Sequence, residues 1–232
     1  MCLKLKLKSS NGIYNLFFNN KEIKTPENVL FNFKKKIFPE LMLKEIKKFN
    51  LKNLNQSLYY NIFSLAKDKI LVDKQKYINE VMKYINTDLI CYWEQKPEDL
   101  YALQRDYWSK ELKKLKKEGL KFDYTFNILQ IEQKKSSIEL LENKLIKLYD
   151  MILACLLILT KTTSSLLLSY LFATYRIKPI DLYKNTYLHE IWQSNKWGIV
   201  EEEKEKRESD LLIFKKIYKL IKISYEQQKL SV

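Results

Sequence analysis

The chain has 232 residues, 46% of them hydrophobic and 30% charged, a globular balance that excludes disorder throughout and is long enough to bury a sizeable core. Three glycines and four prolines exclude collagen-like, glycine-rich and propeller architectures and predict long helices with short connections. The net charge of +14 is almost all lysine, since only Arg105, Arg176 and Arg207 are arginines; the planar arginine fork that suits phosphates and bases is scarce, so a coding bias toward A and T explains the charge better than a dedicated basic patch.

Leu3, Leu5 and Leu7 alternate with Lys4, Lys6 and Lys8, the period of a half-buried strand. In IYNLFFNNKEIKTP two apolar runs flank Asn19 and Asn20, and asparagine tolerates the left-handed backbone of a tight hairpin. Tyr14, Leu16 and Phe18 share one face. Residues 1 to about 33 are therefore expected to form a small antiparallel sheet, with a helix over 40–49 after Pro39. From Asn55 onward the apolar period becomes 3.6 and no further strand is expected.

Asp73 is placed to cap a helix carrying Ile78, Val81, Met82 and Ile85. Pro97 suits a first helical position, with Glu98 and Asp99 in the first turn where the helix dipole favours anions, and Gly119 ends that helix. Ser136 with Glu139 reads as a capping box. Pro179 with Asp181 opens a helix that ends at Gly198. The last helix runs over about 200–229, with Leu211, Phe214, Ile217, Tyr218 and Ile221 on its apolar face.

The apolar runs 151–160 and 166–175 together reach membrane-spanning length. Lys161 and the polar run 162–165 interrupt them, each half alone is too short to cross, and both are expected as buried helices in a bundle. The fold class is α+β: an N-terminal α+β region of hairpin plus helix at 1–56, then a larger orthogonal helical bundle at 57–232.

Catalytic chemistry is hard to write on this chain. Cys2, Cys91 and Cys155 are odd in number and far apart, so free thiols in a reducing compartment are expected, without disulfides or zinc. His189 is the sole imidazole, and its setting offers no nucleophile elbow. Gly12, Gly119 and Gly198 cannot make a phosphate loop or a dinucleotide fingerprint. No enzyme and no cofactor are expected. The start of the chain lacks a secretory signal and an arginine-rich transit helix.

All four tryptophans lie in two segments rich in amides and carboxylates. The first, TDLICYWEQKPEDLYALQRDYW, holds Thr87, Asp88, Tyr92, Trp93, Pro97, Gln104 and Trp108. The second, HEIWQSNKWGIVE, holds Glu190, Trp192, Gln193, Trp197, Gly198 and Glu201, with Glu190, Gln193 and Trp197 spaced i, i+3, i+7 on one helical face. Core anchoring accounts for such tryptophans, and so does a contact surface, where Trp is the commonest hot spot.

These segments resemble the Atp-twelve family, chaperones that bind the alpha subunit during assembly of the ATP synthase catalytic head in mitochondria and alphaproteobacteria. The family's E-x-x-Q-x-x-x-W-G-x-x-E block is matched by Glu190, Gln193, Trp197, Gly198 and Glu201. Its first block is matched by Thr87, Asp88, Tyr92, Pro97, Gln104 and Trp108, its serine-containing apolar helix by 164–175, and the Thr-Pro after its hairpin by Thr25 and Pro26. Ala66, Lys67 and Asp68 echo a family Ala-Ile-Asp. The sequence departs where Ser109 and Lys110 replace a helix-stopping Asp-Pro and where Lys204 and Glu205 replace a His-Asp pair.

The resemblance implies a monomeric, non-catalytic chaperone of the alpha subunit, with no integral membrane segment and no nucleic acid. It would act in an alphaproteobacterial cytoplasm or a mitochondrial matrix. The implied contact residues are Glu190, Gln193, Trp197, Gly198 and Glu201, with Asp88, Gln104 and Trp108 behind or beside them. The alternative is a basic helical nucleic-acid-binding protein.

Overall fold

Positive-φ turns shape the N-terminal sheet. The computed structural model describes residues 5–48 and 53–229, with side chains as far as Gln227; the expectations for Cys2, Leu3, Lys4 and Phe49 fall outside those residues. Strands β1 (Leu5–Ser10) and β2 (Ile13–Phe18) pair antiparallel from Leu5 opposite Phe18 to Ser10 opposite Ile13, and β3 (Lys21–Glu22) adds to the far side of β2. Both connections have two residues. Asn19 and Asn20 take φ of 47° and 66°, and Asn11 and Gly12 take 48° and 74°. Positive φ at both central positions is what a type I′ turn requires, and its twist matches that of the strands. The first turn, Asn11-Gly12, was as legible as the second but was not anticipated.

The first compact unit comprises residues 1–74. After β3, Thr25 closes a turn: its N–H donates to the Val29 carbonyl and its Oγ1 accepts from the Val29 N–H, each at 3.0 Å. Helix α1 (Ile37–Ile46) starts two residues before Pro39, earlier than expected; a proline fits there because first-turn N–H groups have no intrahelical partner. Ser57 caps α2 (Leu58–Leu65), accepting from the Tyr60 N–H at 3.2 Å while donating to buried Glu45 at 2.7 Å. Leu16, Met42, Ile46 and Ile62 are sealed from solvent, and Phe33 meets Phe63 edge-on at 4.9 Å. Beyond α2 a wide turn, Ala66–Ile70, buries Asp68, which accepts the Glu27 N–H at 3.3 Å. The weak echo at 66–68 thus pins the Thr25-Pro26 turn.

The second unit comprises residues 75–232. Helix α3 (Lys74–Met82) follows Asp73, and α4 (Glu98–Lys117) follows Pro97, which stands just outside the first turn instead of inside it. With Ser109 and Lys110 in place of Asp-Pro, α4 runs on to a Schellman end: Gly119, φ 85°, donates to Lys116 and Leu120 donates to Leu115, both at 3.1 Å. Helix α5 (Lys135–Ile146) corrects one expectation. Ser136 lies within its first turn, and no side chain caps the helix.

Helices α6 (Asp150–Thr163) and α7 (Leu166–Ala173) are the expected apolar pair; every residue of α7 is buried. No described helix is long and apolar enough to cross a membrane. The single helix expected from Pro179 to Gly198 is two, α8 (Pro179–Thr186) and α9 (Leu188–Trp197), broken at Tyr187. The Trp108 indole donates to the Asn185 carbonyl at 3.0 Å, taking the acceptor that a continuous helix would give to His189. Helix α10 (Glu201–Lys229) packs on α6, α7 and α8, with Phe214, Ile217, Leu220 and Ile221 buried. The fold is α+β, a three-stranded antiparallel sheet with helices followed by a helical region.

Asp88 ties the second unit together. Its carboxylate accepts from the Ser165 hydroxyl at 2.6 Å, the Leu167 N–H at 2.9 Å and the Ile90 N–H at 3.3 Å, at the N-terminus of α7. Burial dominates these donors and raises its pKa to about 6. Between about pH 4 and pH 6 the folded protein therefore holds a proton that the unfolded chain releases. The Asp88 contribution to stability should fall by roughly 3 kcal/mol as pH rises through that window, then level off. Urea unfolding of the protein and of Asp88→Asn across pH checks this; a flat difference would contradict it.

Candidate functional site

Three of the four tryptophans are buried: Trp93, Trp108 and Trp192. Trp197 is not. It closes α9 at 73% exposure, and the next turn continues the apolar surface with Ile199 at 61% and Val200 at 55%. Gly198, at φ 100° and ψ 165°, ends the helix in a conformation that side-chain-bearing residues rarely adopt, which sets these groups between α9 and α10. On the same stripe Gln193 and Glu201 are exposed and Glu190 is half-buried. Glu190 stands in the first turn of α9, Gln193 in its middle, Trp197 and Gly198 at its end and Glu201 at the start of α10, so the stripe runs the length of α9 into α10.

The remaining predicted contact residues need correction. Asp88, Gln104 and Trp108 are buried, and none can touch a partner directly. Asp88 serves α7, as described above. Gln104 and Trp108 do stand behind α9. Gln104 Oε1 accepts the Glu94 N–H at 2.7 Å, which leaves its Nε2 facing His189 Nε2 at 2.5 Å. An amide nitrogen only donates, so this network assigns the His189 proton to Nδ1. The Trp108 ring also meets the His189 ring at 5.6 Å. These two side chains fix both the start of α9 and the break before it.

Charges brace the rest. Lys196 on α9 pairs with Asp99 on α4 at 2.7 Å, and this lysine is the main cause holding the Asp99 carboxyl below the usual range. Glu201 pairs with Lys204 at 2.9 Å and raises that ammonium, so one expected acceptor already has a partner within the chain. Buried Arg207 donates to Ser194 at 3.2 Å, and Ser194 donates to the Glu190 carbonyl at 2.7 Å, joining α10 to α9. Burial, then the hydrogen bond to Asp210, pushes the Tyr187 hydroxyl up. Sequence reasoning missed Ile199, Val200, Lys196 and Arg207. The signal for the first two was present, as apolar residues directly after Trp-Gly and outside any helical period.

The set combines an exposed indole and aliphatics with amide and carboxylate neighbours, which suits recognition of a polypeptide surface. Among the described residues no group of three or more His, Cys, Asp or Glu could hold a metal ion. Replacing Gln104 with Leu keeps the volume but strips a partner from Glu94 and from His189. A loss of about 2–4 kcal/mol in urea unfolding, with faster amide exchange along α9, is the expected outcome.

The profile of the ATP12 chaperone protein family matches residues 4–116. No curated protein matches the chain at a significant level. Among solved structures, Atu1473 of Agrobacterium tumefaciens, described as a candidate chaperone, matches with TM-score 0.84 at 22% identity, over 94% of this chain and 83% of that one. Atp12 from Paracoccus denitrificans matches with TM-score 0.82 at 17% identity, over 94% of each chain. A point mutant of P. denitrificans Atp12 matches at 0.80 and 17%, over 93% of each. At these identities the structures attest to the fold, and they extend over the α9–α10 end that the family profile does not reach. With the profile spanning the hairpin, Asp88 and nearly all of α4, and the same fold continuing through the rest, residues 4–116 match the ATP12 chaperone family and the whole chain has the fold of Atp12.

Proposed function

We propose that this chaperone holds the unassembled alpha subunit of the ATP synthase catalytic head and covers the surface that later meets the beta subunit. The observation that carries this reading is the exposed run of Trp197, Ile199 and Val200, followed by Glu201 and preceded on α9 by Gln193 and, two turns back, Glu190. An unpaired subunit interface of the obligate kind is large and apolar, and it aggregates when left open. A holder must compete with aggregation yet yield to the true partner. One aromatic anchor within a rim of exchangeable polar contacts gives such moderate affinity. The reading places the protein in an alphaproteobacterial cytoplasm or a mitochondrial matrix, acting without a cofactor.

Co-expression with an alpha subunit tests it. Trp197→Ala should weaken capture by about tenfold or more, as loss of a hot-spot tryptophan does, while leaving the thermal midpoint nearly unchanged because the side chain is exposed. Glu190→Ala combined with Glu201→Ala should lower the yield of soluble alpha subunit. Full protection of the alpha subunit by both variants would refute the proposed face.

A further inference from the structure

The loop between α4 and α5 is fixed at its base and apolar at its tip. Ser137 Oγ accepts the Lys121 N–H at 3.0 Å and donates to the Lys121 carbonyl at 2.9 Å. Gln133 does the same for Asp123, both at 2.9 Å. The Thr125 N–H donates to the Cys91 carbonyl and the Thr125 carbonyl accepts the Trp93 N–H, again at 2.9 Å. Tyr124 stacks on Trp93 with ring centroids 4.0 Å apart. From this base the tip presents Ile128 at 102% and Leu129 at 79% exposure, with Phe126 also exposed. The hydrogen bonds fix the base of the loop, and from it two adjacent aliphatic side chains stand in water, an arrangement useful when the segment awaits a partner.

Beside the base lies a concavity of about 340 Å³ lined by Leu112, Lys113, Lys116, Lys121 and Tyr124, among others. Asp123 also lines it and pairs with Lys134 at 3.4 Å. Lys113, Lys116 and Lys121 have no carboxylate partner among the described residues. Three uncompensated cations in one hollow call for negative charge.

We propose that this groove and loop dock an acidic amphipathic segment of a polypeptide client, its carboxylates on Lys113, Lys116 and Lys121 and its apolar side chains on Phe126, Ile128 and Leu129. The proposal rests on reading the chain as a client-holding chaperone and adds a second contact of opposite charge to the α9 face. A nucleic acid fits less well. The groove holds no arginine, and Tyr124 is already engaged by Trp93 and, edge-on, by Phe126.

The test is fluorescence anisotropy of the full chain with a labelled peptide alternating Glu and Leu. Binding is expected, weakening with salt. The triple variant Lys113→Glu, Lys116→Glu, Lys121→Glu and the double variant Ile128→Ser, Leu129→Ser should each weaken it by about tenfold or more. All five sites are exposed, so circular dichroism should show both variants folded. Trp197→Ala should bind the peptide as the parent does. No binding by the parent, undiminished binding by either variant, or stronger binding of an oligonucleotide or of phosphatidylserine vesicles would overturn the proposal. Intact peptide binding with no capture of alpha subunit would instead refute the function proposed above and leave this surface standing.

Discussion

A single buried carboxylate organises the helical region. Asp88 sits where the chain passes the start of α7, and three donors from two segments converge on it. A charge in that position is costly unless the donors are there, and the donors are unsatisfied unless the carboxyl is there. Each therefore enforces the other, and together they fix the segment that leads into α4 against the most apolar helix of the protein. From α4 follow Gln104 and Trp108, and from these the placement of α9. The exposed cluster at the α9 end depends on this sequence of constraints.

The break between α8 and α9 shows how a scaffold can serve a contact surface without taking part in it. Trp108 takes a main-chain acceptor and Gln104 fixes an imidazole, and both stay in the interior. Trp197 keeps one internal contact, edge-on against the buried Trp192 ring at 5.2 Å, and leaves the rest of its surface to solvent. For the client-holding role proposed above this division is physically apt. The part proposed to meet the client is exposed, while the part that aims it is sealed from solvent.

Much of the fold was legible in the residues. The alternation of β1, the Asn19-Asn20 turn, the Gly119 helix end and the buried pair α6–α7 all follow from period and backbone chemistry. The failures share one cause, tertiary bonding that overrides local pattern. Ser136 fits the capping-box spacing, but its neighbour Ser137 is the serine put to use, on a loop sixteen residues upstream. The segment 179–197 has a continuous helical period, but an indole from α4 breaks it. At the candidate site the stripe on α9 could be read from spacing alone. Which of the eight residues face solvent could not, because a buried Gln or Asp looks the same in sequence as an exposed one.

The uneven burial of the indoles has an optical consequence. Three of them lie in a low-polarity interior and one stands in water at the end of α9. Emission from the interior rings should be blue-shifted and shielded, while Trp197 should emit to the red and remain open to a neutral quencher such as acrylamide. The chain thereby carries its own lamp on the proposed contact face, and occupancy of that face could be followed by colour without any attached dye.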